Sequence, residues 1–216
     1  MNERSFCEII LYICIKIKSM AIRQKCDKKR TSLLNATLHL VNNNGFHDAP
    51  MSKIAKMAEV SPATIYIYFE NKQDLINQLY LEVKAAFSKH AFLNFNENLP
   101  VKKGFKNIWY QIADFKLTHI EEANFLSQCD NTPMVDEASR LEGLKHLQPL
   151  LSLWERGQKE KIIKTVSPYI LYAFTIYPLA FLTQSKHKKE CKFNKIKLDN
   201  AFQIAWDSIK IYNKKE

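Results

Sequence analysis

Glycine is scarce in this chain: four residues in 216, alongside seven prolines. So few breakers leave room for long helices and little for a series of hairpins. Gly45, Gly104, Gly143 and Gly157 lie too far apart to assemble a phosphate-cradling loop, which removes the dinucleotide-binding and P-loop classes. The five cysteines, Cys7, Cys14, Cys26, Cys129 and Cys191, are odd in number and form no Cys-x-x-Cys pair. That argues against a disulfide framework or a thiolate zinc site and fits reduced thiols in a cytoplasm. The six histidines, His39, His47, His90, His119, His146 and His187, form no His-Glu-x-x-His. No metal site and no cofactor is expected, and with neither a nucleophile elbow nor a paired-carboxylate motif the chain does not read as an enzyme.

Long hydrophobic runs are also missing. Phe6–Ile17 is apolar but carries Glu8 and Lys16, falls short of the ~20 residues a membrane span needs, and lacks the small-residue end of a signal peptide. Tyr169–Leu182 is short as well, and Pro178 interrupts it. No membrane partner is expected. For residues 1–19 two readings stand open, an extra helix or residues upstream of a start at Met20.

Charge, by contrast, is plentiful and unbalanced: 32 Lys and Arg against 22 Asp and Glu, a formal net charge of +10. Such a balance suits a polyanion partner, although a joint richness in Lys, Asn and Ile fits codon bias equally well. A length of 216 residues is enough for one generous domain or two modest ones, and the 46% of hydrophobic residues is ordinary for a globular protein.

Periodicity places a helix over 27–44, capped by Asp27, with Leu34, Thr37, Leu38 and Val41 on one face and Gly45 as the stop. Ser52–Ala58 reads as a short helix with Ile54 and Ala55 inward. Ser61-Pro62 is a sharp start signal, since Ser caps and Pro at the first helical position loses no useful N–H; that helix runs to about Phe69. Asn71 caps the next, with Asp74 as a box-like partner, and it continues through Leu75, Leu79, Val83 and Phe87 to about Leu93. The linker Asn94–Pro100 is the best internal boundary. Beyond it, helices are expected over Val101–His119, Glu121–Cys129, Val135–Gln158 (kinked at Pro149), Tyr169–Gln184 (opened by Ser167-Pro168, kinked at Pro178) and Leu198–Tyr212. A charged turn, Lys159–Thr165, and a basic connector, Ser185–Lys197, lie between. No strand pattern appears, so the fold class is all-α.

Two short, closely spaced helices, the second starting Ser-Pro, read as a helix-turn-helix. Ile54, Ala55, Val60 and Ile65 can pack the pair at a steep angle, leaving Pro62, Ala63, Thr64, Tyr66 and Tyr68 outward on a helix that fits a major groove. Phe69 reads as core. Tyr66 has two readings, packed in the core or reaching a phosphate with its hydroxyl. The basic run Arg23, Lys25, Lys28, Lys29, Arg30 is either a DNA-contacting arm or a solvated terminus.

The stretch Ile54-Ala55-Lys56-Met57-Ala58-Glu59-Val60-Ser61-Pro62-Ala63-Thr64-Ile65-Tyr66-Ile67-Tyr68-Phe69-Glu70-Asn71-Lys72-Gln73-Asp74-Leu75 closely resembles the DNA-binding signature of the tetracycline-repressor (TetR) family. Leu33–Thr37 and Gly45-Phe46 resemble its first helix. The resemblance implies an all-α protein with an N-terminal three-helix helix-turn-helix DNA-binding domain and a C-terminal helical ligand-binding and dimerisation domain. It places an extension at 1–19, the DNA-binding domain at 20–73, and the regulatory domain at 74–216, with 74–93 as connecting helix. It makes Thr64, Tyr66 and Tyr68 phosphate- and base-contacting residues and Lys72 a phosphate anchor. Pro62 and Ala63 would meet bases, and Ser52 and Lys53 reach backbone or bases. Two departures stand out. Met51 replaces the usual Thr, leaving Ser52 to supply the cap, and Glu59 replaces the usual turn Gly, a cost on the order of 1 kcal/mol if its φ is positive.

The function implied is a cytoplasmic, homodimeric transcriptional repressor, released from a double-stranded DNA operator by a small hydrophobic ligand. The alternative is a helix-turn-helix regulator with no small-molecule effector. Tyr169–Gln184 and Leu198–Tyr212 would pair with their copies in a second subunit. Phe105, Trp109, Phe115, Phe125, Trp154, Tyr172 and Tyr177 are the candidate ligand-binding rings, with Gln111, His119 and Gln128 as polar partners, and the ligand is expected to be neutral or cationic.

Overall fold

The scarcity of glycine and proline becomes an all-helical fold. The computed structural model describes residues 3–183 and 195–212, and among the described residues no strand forms; a lone antiparallel bridge pairs Ile163 with Lys210. The chain divides into two compact units between Leu75 and Ile76.

The first unit begins with α1 (Glu3–Asn44), followed by α2 (Met51–Met57), α3 (Pro62–Tyr68) and the start of α4 (Lys72–Ala91). No glycine or proline precedes Gly45 in the sequence, so nothing halts α1 on its N-terminal side. Asp27 is therefore not an N-cap. It lies within the helix, and its carbonyl accepts from the Thr31 hydroxyl at 2.9 Å. Leu33, Leu34, Thr37, Leu38 and Val41 are buried, and the Thr37 hydroxyl is satisfied by the Leu33 carbonyl at 2.7 Å. Gly45 ends the helix at φ +81, its N–H returning to the Val41 carbonyl at 2.9 Å.

Ser52 does not supply the missing cap of α2. The helix starts one residue earlier than expected, after Pro50, with no side-chain cap. The Pro50 carbonyl takes the N–H groups of Lys53 and Ile54 at 3.0 and 3.1 Å. The start of α3 follows expectation: Ser61 Oγ accepts from the Thr64 N–H at 3.2 Å, with Pro62 first in the helix. At α4, Asn71 Oδ1 accepts from the Asp74 N–H at 3.0 Å while Asp74 Oδ2 accepts from the Glu70 N–H at 2.9 Å.

The second unit comprises the rest of α4 with α5 (Val101–Thr118), α6 (Ile120–Asn131), α7 (Glu137–Lys145), α8 (Gln148–Lys159), α9 (Pro168–Thr175), α10 (Tyr177–Thr183) and α11 (Lys195–Ile209). α5 is its axis, touching α6, α8, α10 and α11. Its buried stripe runs Val101, Phe105, Ile108, Trp109, Ile112, Phe115, the helical period of an inward face.

The prolines act more strongly than the kinks expected of them. Pro149 has no N–H and crowds the carbonyl four residues back, so the expected single helix over 135–158 separates into α7 and α8 at His146–Leu147. Pro178 likewise separates α9 from α10 at Ile176, where the Leu179 N–H turns to the Ile176 carbonyl at 3.1 Å. The Thr175 carbonyl, left without that donor, accepts from Trp109 Nε1 at 2.9 Å. A break in one helix is thus satisfied by a ring on another. Gly157 sits where a Cβ would lie 2.7 Å from Ile163 and 2.9 Å from Val101, a close approach only glycine permits. Gln184 and most of the connector 185–197 lie outside the described residues.

Candidate nucleic-acid interface and regulatory core

α2 and α3 meet through Ile54, Ala55 and Ile65, all buried. The small Ala55 side chain allows the close approach, and its carbonyl accepts the Val60 N–H at 3.0 Å, which closes the turn. Glu59 makes that turn at φ +56, in the left-handed region. The hydrophobic contact therefore leaves one face of α3 outside.

On that face Pro62 and Ala63 are exposed, as are Ser52 and Lys53 on α2. Tyr66 is 58% exposed, which places it on the surface rather than in the core. Thr64 is half-buried, its hydroxyl 2.8 Å from Ser61 Oγ. Tyr68 is half-buried too. Burial raises its phenol pKa, helped by a hydrogen bond with Cys26 and by the charge of Asp27, so the hydroxyl keeps its proton. Phe69 is buried, as expected, with the Arg30 guanidinium 5.6 Å from its ring centre. Lys72 is held from several sides. Its ammonium donates to the carbonyls of Phe46 and, at 3.4 Å, His47, and lies 4.4 Å from the centre of the Phe46 ring. Burial lowers its pKa, with Asp48 pulling it back up.

Ile67 escaped the sequence reading. It is 78% exposed between the two tyrosines, and its only signal in the sequence is its place on the outward face of a helix that buries Ile65. An aliphatic side chain there is chemically suited to a thymine methyl.

In the second unit the candidate rings fall into separate clusters. Phe105 packs on Trp154, Phe202 and Trp206 at 6.2, 6.0 and 6.1 Å. Phe115 stacks on His119 at 4.7 Å and meets Phe87 edge-on at 5.2 Å. Phe125 is buried, Tyr172 is half-buried, and Tyr177 is exposed, its hydroxyl donating to Asn131 Oδ1 at 3.2 Å. Gln111 and Gln128 are half-buried. Trp109 alone of these rings borders the groove of about 430 Å³ between α9–α10 and α11, which Phe174, Phe181 and Ile204 also line. The buried Trp154 Nε1 has no hydrogen-bond partner among the described residues.

Two lysines of this unit were missed. Lys84 is only 6% exposed, its ammonium 5.3 Å from the centre of the Tyr80 ring. Burial lowers Lys116 to about 8, against the pull of Asp130 and helped by Lys84. Their signal was present: Lys84 follows Tyr80 by one helical turn on the stripe of Ile76, Val83 and Phe87, and Lys116 follows Ile112 in the same way on α5.

A three-helix reading head and a separate all-helical unit define a helix-turn-helix regulator. The family model for bacterial regulatory proteins of the tetR family matches residues 33–79, and the model described as the tetracyclin repressor-like C-terminal domain matches residues 100–210. The chain belongs to the TetR family. The fatty acid metabolism regulator protein of Bacillus subtilis is 33% identical over 75 residues, 35% of this chain and 39% of that one. The chain spans only about 39% to 52% of the length of the first such curated relatives. A TetR-family transcription regulator from Marinobacter aquaeolei superposes with a TM-score of 0.82 at 26% identity, covering 88% of this chain and all of its own. The regulator FadR of Bacillus subtilis, solved with stearoyl-CoA, has the same fold, with a TM-score of 0.65 at 20% identity over 83% of this chain and 98% of its own.

Proposed function

We propose that the protein is a homodimeric transcriptional repressor that reads a palindromic operator with α3 and leaves it when a small apolar ligand binds the second unit. The observation that carries the DNA-binding part is the exposed face of α3, where Tyr66 and Ile67 stand outward on a helix whose other side is buried to Ile65 and Phe69. Thr64, Tyr66, Tyr68 and Lys72 are assigned the phosphate and base contacts, with Ser52, Lys53, Pro62 and Ala63 beside them. The working division is a DNA-binding domain over 20–73, a regulatory domain over 74–216 and an extension over 1–19.

The dimer reading rests on α9, α10 and α11. Phe174, Phe181 and Ile204 are 64%, 61% and 72% exposed around one groove, a contiguous apolar surface that is unusual on a monomer. A second copy is the occupant assigned to it, because one recognition helix spans too few base pairs for useful specificity, and two-fold proteins match two-fold sites. An apolar effector is supported by the relative solved with stearoyl-CoA. Footprinting on the DNA flanking the protein's own gene tests the reading. A protected palindromic site that persists at physiological salt is expected. Binding that is equally tight on unrelated DNA refutes it.

A further inference from the structure

What α3 lacks limits how it can read DNA. Its sequence is Pro62-Ala63-Thr64-Ile65-Tyr66-Ile67-Tyr68, with no Arg, Lys, Asn, Gln, Asp or Glu in it. Base pairs are told apart in the major groove by two kinds of contact. One is a paired hydrogen bond, from Arg or Lys to guanine or from Asn or Gln to adenine; the other is apolar contact with the thymine methyl. None of the side chains that make the first kind stands on α3. Its hydroxyls do not replace them. Thr64 is half-buried, its hydroxyl 2.8 Å from Ser61 Oγ, and Tyr68 is half-buried too. Tyr66 is exposed, but a phenol has a single O–H to donate.

In place of hydrogen-bonding groups α3 presents apolar ones. Ile65 and Phe69 are buried. Ile67 stands two residues on from Ile65, roughly 200° around the helix. It is the most exposed large aliphatic side chain among the described residues. Pro62, Ala63 and Tyr66 are exposed with it, and Ala63 and Ile67 are i, i+4 neighbours on one face. The charges nearby sit off the helix: Lys53 and Lys56 on α2, Glu59 in the turn and Glu70 beyond the last turn, all exposed. Lysines at such places suit the DNA backbone, a contact that fixes position and carries no sequence information. The two carboxylates oppose phosphate at both ends of α3.

We propose that α3 reads its half-site through thymine methyl groups, and that Ile67, with Ala63 beside it, is the specificity-determining side chain. This deepens the operator-reading role proposed above and rests on it. A thymine methyl lies on the major-groove edge of its base pair. Ile67 loses water when it meets that methyl, which favours binding. Cytosine carries no methyl there and leaves the contact unmade. T·A pairs are therefore selected at the positions facing Ile67 and Ala63 without a hydrogen bond to the base. The hydroxyls and lysines hold the backbone, and the aliphatic pair chooses the sequence.

The full chain is used to select bound duplexes from a random pool, and the enriched site is resynthesised with single dT→dU replacements. Each removes one methyl and keeps the base pair. Losing one buried methyl contact should weaken binding about fourfold, and the matched loss in both half-sites about fifteenfold. Ile67→Ala separates methyl reading from a merely structural role. Ile67 is on the surface, so the variant should melt with the wild type, and its salt slope should be unchanged because no phosphate contact is lost. It should bind the unmodified site about as weakly as the wild type binds the dU site, and lose nothing further at that position. 7-Deazaadenine opposite the same thymine removes the N7 acceptor and leaves the methyl, and should change affinity by less than about twofold. An enriched site whose thymines can all be replaced without loss overturns the methyl reading and keeps a sequence-specific regulator. So does an Ile67→Ala variant that stays as sensitive to dU as the wild type at every position. Binding lost to 7-deazaadenine assigns the choice to a hydrogen bond and overturns it as well. A pool with no enriched sequence refutes the operator-reading role, and this inference with it.

Discussion

Replacing Glu59 by glycine should stabilise the reading head. Glu59 turns the chain from α2 into α3 at φ +56. There a Cβ approaches the following carbonyl, and a non-glycine residue loses about 1–2 kcal/mol. Glycine avoids that clash, but its unfolded chain is freer, which returns about 0.4–1 kcal/mol. The difference leaves a net stabilisation of about 0.5–1 kcal/mol for Glu59→Gly. For a chain of this size that is a rise of roughly 1–4 °C in melting temperature. Glu59→Ala is the control, because it removes the same carboxylate and keeps the Cβ. Chemical denaturation of the three proteins should show the midpoint of Glu59→Gly above both others, with an unchanged slope. Operator titration separates the second effect: both variants lose a negative charge beside the DNA-reading helix, so both should bind somewhat more tightly at low salt. A glycine variant no more stable than the alanine variant would refute the strain argument, and if both then exceeded the wild type the charge, not the backbone, was the penalty.

Lys72→Ala should weaken operator binding and reduce the log–log salt slope by about 0.9, the value for one lost phosphate contact; unchanged affinity and slope with the fold intact would count against the anchor. Gly157→Ala should destabilise the second unit by about 1–3 kcal/mol, since the new methyl meets Ile163 and Val101, a loss read in a thermal melt. Phe181→Lys should place a charge in the apolar groove of α9–α11 and give a monomer by light scattering at micromolar concentration, with operator affinity lost; a dimer that survives would move the interface elsewhere. A chain starting at Met20 should bind operator within about twofold of the full chain, its recognition machinery all lying downstream, and a larger loss on titration would make the first turns of α1 part of the DNA contact.

Ser61, Asn71 and Ser167 cap their helices because capping is settled within four residues, by a side-chain oxygen and the N–H groups just ahead of it. Gly45 ends α1 for an equally local reason. These starts and stops, the buried pair Ile54 and Ile65, and the family's signature were all legible before any packing was known. Glu59 stands where the family's signature has glycine, and the structure settles the backbone there at φ +56.

What tertiary structure alone decided was which polar and aromatic groups share a space. Tyr66 and Phe69 lie on neighbouring turns of similar composition, yet one is on the surface and the other in the core, because only one faces the rest of its unit. Pro149 and Pro178 announced disturbance, but whether a helix bends or parts depends on what satisfies the freed carbonyl, and for Thr175 that is Trp109, distant in sequence. The aromatic rings promised a common lining, and packing joined Phe105, Trp109 and Trp154 into one cluster with Phe202 while Phe115, further along α5, stacked on His119. Lys84 and Lys116 sit on apolar stripes of different helices, and how far each is covered depends on the elements packed over them. The sequence by itself determined the capped starts at Ser61, Asn71 and Ser167, where α1 stops and what the reading head is made of, since those depend on neighbours along the chain. The tertiary fold decided the character of the regulatory interior, since burial and charge proximity depend on neighbours in space.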